Sequence, residues 1–184
     1  IQQYQAKGIF WIDYTPDTSD TSPASDLGAA FAHDVAATLR RVEKEERARL
    51  DRAGQWAAQS LKNGKTVYMY CMGHFIPDEI GKSEIAGKFK VNTWNSGFTS
   101  LTPPGDPIAA GDLAIHIGYQ HPPHGLFERA LPAGAKVVCV DLLQHRDSKS
   151  DPNVIWIDPM WPWDDAVVSL KGYDIAMLPP SGIV

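Results

Sequence analysis

The sequence holds too few cysteines to rest on a disulfide framework. There are two, Cys71 and Cys139, and both sit in apolar, strand-like runs, where a thiol behaves as a small buried hydrophobe. Positive charge is also scarce: 17 Lys and Arg stand against 22 Asp and Glu, for a formal net charge of -5. A nucleic-acid binder needs a basic face to neutralise phosphates, so nucleic acid is not an expected partner. No apolar run approaches the roughly 20 residues of a spanning helix, and no membrane partner is expected either. The chain opens at Ile1 with no basic, apolar signal segment, so the expected compartment is the cytoplasm, with export after signal removal left open. What is present is a hydrophobic fraction of 43% in 184 residues, enough for one domain with a real core. Small molecules and protein partners remain.

Residues 1–25 contain one short apolar patch and then a run of turn formers without a period, and are read as an arm; residues 26–184 are read as the domain. Ser25 or Asp26 can cap a long helix that ends near Asn63 and Gly64, where a left-handed C-cap is favoured. Phe31, Val35, Thr38, Val42, Ala53, Trp56 and Ser60 recur near helical spacing, and Gly54 is a point where the helix can break. Its middle is polar nearly all round, with Arg41/Glu45, Glu43/Arg47 and Glu45/Arg49 four residues apart, which reads as a solvated face.

Short apolar runs then alternate with helical or loop segments. Strands are expected over 65–72, 88–94, 111–118, 136–143 and 153–158, and short helices over 77–87 and 123–135, the second ended by Gly134. Strands apolar on both faces and alternating with helices imply a parallel sheet covered on each side. The expected fold is therefore α/β, a three-layer α/β/α sandwich on a five-stranded, flavodoxin-like parallel sheet. In such folds ligands bind outside the carboxyl ends of the strands. The loops to examine are 71–78, 94–102, 118–125 and 142–150.

The segments AAQSLKNGKTVYMYCMGH, GDLAIHIGYQHP, AGAKVVCVDLLQH and DDAVVSLKGYDIAMLPPSGIV, in this order, resemble the sugar isomerase (SIS) domain, in particular its phosphosugar-binding branch. The resemblance runs from about Ala53 to the end of the chain. It implies a five-stranded parallel sheet, a homo-oligomer of two or more subunits, no cofactor, and a sugar or sugar phosphate bound by the first and second loops. Isomerases of the family move a proton between neighbouring sugar carbons with glutamate or histidine as acid and base, which suits a group that titrates near neutrality.

The resemblance gives His74 as a candidate acid-base residue, and Glu79 and Glu84, on the helix expected to follow, are candidate bases if they face the crevice. Candidate ligand-binding residues are Gly73, Phe75, Asn95, Ser96, His116, Gly118, Tyr119, Gln120, His121 and Ser181. Each has a plainer reading. A loop histidine often bonds a backbone carbonyl, acids in a first helical turn complement the helix dipole, and Asn95 and Ser96 are ordinary turn formers. Two departures stand out. Phe75 occupies a position where the family branch has serine, and the hydroxyl-rich second loop is replaced by His116, Ile117, Gly118, Tyr119, Gln120 and His121. A non-catalytic oligomeric or regulatory protein that keeps the fold is the alternative these departures suggest. His74, His116, His121 and His124 raise a third reading, a zinc site, although they follow no fixed-spacing metal motif, and no metal ligand is assigned.

Overall fold

The structure is a computed structural model that describes residues 25–71, 82–93, 106–118, 122, 125–142, 151–160, 168–169 and 176–178. In chain order its elements are helix α1 (Ser25–Lys62), strands β1 (Val67–Cys71), β2 (Lys90–Thr93) and β3 (Leu113–Ile117), helix α2 (Leu126–Ala130), and strands β4 (Lys136–Val140), β5 (Val154–Ile157), β6 (Val168–Ser169) and β7 (Ala176–Leu178).

β1 to β5 form one five-stranded sheet in the order β2-β1-β3-β4-β5, and all its pairs are parallel. The strands are rich in Val, Ile and Tyr, which fit a pleated and buried surface. One face carries Tyr68, Tyr70, Ala114, Val137, Cys139 and Trp156, which pack with Leu126 and Ala130 of α2. The ring of Phe127 stacks on Trp156 there, 6.3 Å between centroids. The other face carries Val67, Leu113, Val138, Ile155 and Ile157, against Ala53, Trp56, Ala57 and Leu61 of α1. Trp56 is flanked by two cations, Lys136 Nζ at 4.5 Å and the Arg52 guanidinium at 5.0 Å from the ring centroid. Cys71 and Cys139 are free and buried within the sheet.

Both glycine stops act as read. Gly64, at φ 67, donates to Leu61 O while Lys65 N donates to Ser60 O, the paired bonds of a Schellman cap. Gly134, at φ 81, repeats this after α2 with Gly134 N to Leu131 O and Ala135 N to Ala130 O.

Other details differ from expectation. The helix is continuous through Gly54. Arg41 and Arg47 meet Glu45 and Glu43 as their spacing implies, but Arg49 pairs with Glu46 at 2.6 Å rather than with Glu45. Glu46 is nearly buried and Glu45 half exposed, so Arg49 follows the carboxylate that has less water. The helix expected over 77–87 does not reach Gly87: residues 83–89 are turn and bend, and Gly87 sits at φ 80. β6 and β7 form an antiparallel pair that the strand reading did not include.

The amino edge of the sheet is closed by side chains. Asp112, just ahead of β3, accepts from Thr66 N through Oδ1 at 3.0 Å and from Ala109 N through Oδ2 at 2.8 Å. Ser60 Oγ donates to Gly111 O at 3.0 Å. The Gly-Asp pair before β3 therefore has a structural task, tying α1, β1 and the entry to β3 together.

Candidate functional site

The strand order reverses between β1 and β3, which leave the sheet's middle in opposite directions. That reversal is where a doubly wound sheet opens a crevice at its carboxyl edge. Cys71 and Ile117, the last residues of β1 and β3, are register partners, so the loops that follow them start side by side.

On the α2 face, one row crosses the sheet just inside this edge: Tyr70, His116, Cys139 and Trp156 are successive register partners. His116 is wholly buried, and its Nε2 lies 3.4 Å from Asp141 Oδ2, whose side chain is equally buried. Among the described residues neither ring nitrogen completes a hydrogen bond of good geometry. Asp141 is held from several sides. Its Oδ1 accepts from Leu142 N at 2.7 Å, its N donates to Ile157 O at 3.2 Å, and its carbonyl accepts from the Trp156 indole at 3.2 Å. The carboxylate is thus aimed at His116 by the backbone that leaves β4.

A second polar group lies toward β2. Asp106, on the segment entering β3, accepts from Lys90 Nζ at 2.6 Å and from Tyr70 Oη at 3.1 Å. Burial, then the charge and hydrogen bond of Asp106, push the Tyr70 phenol well up from its ordinary value, while the Arg129 guanidinium pulls the other way. Its own hydrogen bond to Asp106 raises Lys90. Arg129, on α2, donates from Nε to Gly125 O at 3.2 Å, and its Nη2 is buried without an acceptor among the described residues.

The thiols are not poised to react. Burial raises Cys71 to about 11, and burial together with the Asp141 charge holds Cys139 well above the ordinary thiol range. A thiol held protonated is a poor nucleophile and a poor metal ligand.

Among the described residues the chain finds its expected site residues only in part. His116 and Gly118 stand at the carboxyl edge, but the Gly118 amide is spent on Val140 O at 3.0 Å and has no bond left for a ligand. Glu84 is exposed on the turn leading into the amino end of β2. His74, Glu79, Gly73, Phe75, Asn95, Ser96, Tyr119, Gln120, His121 and Ser181 lie outside the described residues, as does His124. Among the described residues no three His, Cys, Asp or Glu side chains gather as metal ligands would.

Compared with family models, curated proteins and solved structures, the chain finds no match in any of the three. The site therefore rests on its own geometry.

Sequence reading missed Asp141, Tyr70, Asp106 and Arg129. Asp141 had a legible signal, an acid closing a β-branched run at a carboxyl end. Arg129 offered only its place four residues after Gly125 at a helix start.

Proposed function

We propose that the chain is a SIS-like α/β domain that binds a sugar or a sugar phosphate at the carboxyl edge of its sheet, between β1 and β3. The observation that carries this reading is the reversal of strand order there, with Cys71 and Ile117 as register partners. The strands ahead of the first and second loops, those through which the resemblance assigns ligand binding, therefore end side by side. In this reading the sheet is the middle of a three-layer α/β/α sandwich with α1 as its long helix, and the protein is a cytoplasmic homo-oligomer. Aldose–ketose isomerisation of a phosphosugar, with His74 and Glu79 or Glu84 as acid and base, is the chemistry to test first. A panel of aldose, ketose and amino-sugar phosphates is expected to raise the melting temperature of the purified chain. No shift with any of them would sink the phosphosugar reading.

The burial of His116 and the placement of Glu84 ahead of β2 favour a second reading, a non-catalytic oligomeric or regulatory protein on the same fold. Sugar-phosphate turnover that disappears in both His74→Ala and Glu84→Ala would remove it. The zinc reading predicts stoichiometric metal in the purified protein, and elemental analysis that finds none would end it.

A further inference from the structure

If a sugar phosphate binds at this edge, something must hold its phosphate. The hydroxyls of the family's second loop are replaced in this chain, and the Gly118 amide is already bonded to Val140 O. An excess of acidic residues makes the need for a local cation sharper, because a dianion approaching a chain of net charge -5 is repelled at long range.

Arg129 has the properties required. The bond from its Nε to Gly125 O folds the guanidinium back toward the start of α2, hence toward the carboxyl edge where the β3 loop enters that helix. Its Nη2 is buried and has no acceptor among the described residues, an arrangement that costs free energy unless an acceptor is supplied. The guanidinium fork matches two oxygens of a phosphate, and the charge never titrates away. Its charge also acts on the Tyr70 phenol, lowering it against the larger effects of burial and Asp106. Beside Tyr70 on the next strand is His116, fully buried with its Nε2 3.4 Å from Asp141 Oδ2.

Resting on the sugar-phosphate reading above, we propose that Arg129 is the anion-binding residue of the carboxyl-edge site, taking a phosphate monoester in place of the loop hydroxyls.

The test is calorimetric titration of the full chain with inorganic phosphate, a hexose phosphate and the matching neutral hexose. Wild type is expected to bind both phosphate probes, and Arg129→Gln to bind them at least about tenfold more weakly, the loss of one charge-assisted contact. Unchanged phosphate affinity in Arg129→Gln overturns the proposal. If wild type binds the neutral hexose but neither phosphate probe, the proposal fails while the sugar-binding reading stands. If nothing binds, both fail. Because Arg129→Gln removes a buried group, Arg129→Lys serves as a folded, charge-retaining control, expected to fall between the two. In wild type the Arg129 Nε–Hε resonance should move on phosphate titration, and a resonance that stays still while phosphate binds also overturns the proposal.

Discussion

His116 Nε2 and Asp141 Oδ2 lie 3.4 Å apart, and neither side chain is exposed to solvent. The pair links the carboxyl end of β3 to the first residue after β4, so it ties together the carboxyl ends of two neighbouring strands. Removing either side chain takes away a polar contact in a place without water, a change that costs about 1–3 kcal/mol. His116→Ala and Asp141→Ala are each expected to lower the unfolding free energy by about 1–3 kcal/mol. The double variant should lose less than the sum, with a coupling of about 1 kcal/mol or more. Urea denaturation of the four proteins measures it, and strictly additive losses would show that the two groups do not interact.

The strands were legible because runs such as KVVCV and VIWI are β-branched and bounded by Gly, Pro, Asn or Asp, a local signal that survives folding. The two glycine caps were legible for the same reason, since a left-handed residue at a helix end has few substitutes. What periodicity cannot carry is the pairing of distant elements. That Asp141 meets His116, or that Tyr70 and Lys90 share Asp106, depends on a strand order no local pattern encodes. Arg129 illustrates the difficulty from the other side. On a short helix its residue type reads as a solvated face, and only its bond to Gly125 O turns it back toward the start of α2.

Gly54 lies inside α1, exposed, and a Cβ added there meets nothing within 4 Å. A glycine in a helix interior gives up more backbone entropy on folding than alanine does, by about 0.5–1 kcal/mol. Gly54→Ala is therefore expected to raise the unfolding free energy by about that amount with no change in the denaturant slope. A loss of stability would mean that the helix is not continuous through this point.

Alkaline pH should weaken the fold through its buried thiols. Burial raises the Cys71 thiol from an ordinary 9.0 to about 11, so between those values the unfolded chain has released the proton and the folded chain still holds it. Stability is then fully present below about pH 9 and declines as pH rises toward 11. Cys139 and Tyr70 are shifted in the same direction and steepen the decline. Cys71→Ala should flatten the stability profile over this range without abolishing the slope, and a wild-type profile already flat there would contradict the assigned shift.

Tyr70 and Lys90 reach the same Asp106 carboxylate from different surroundings, and their losses should differ accordingly. Tyr70 is buried, its ring stacked on Tyr68 with centroids 6.5 Å apart, and its hydroxyl donates at 3.1 Å to a carboxylate whose side chain is only 5% exposed. A hydrogen bond to a charged group in such a place contributes about 1.5–3 kcal/mol, so Tyr70→Phe should lose an amount in that range while keeping the ring packing. Lys90 approaches at 2.6 Å but is half exposed, and water and salt take over part of what it supplies. Lys90→Met should therefore cost less than Tyr70→Phe, and raising the salt concentration should narrow the difference between Lys90→Met and wild type while leaving Tyr70→Phe nearly unchanged. Equal losses, or a salt response in Tyr70→Phe, would mean that Asp106 is solvated and that the cluster does not anchor the entry to β3.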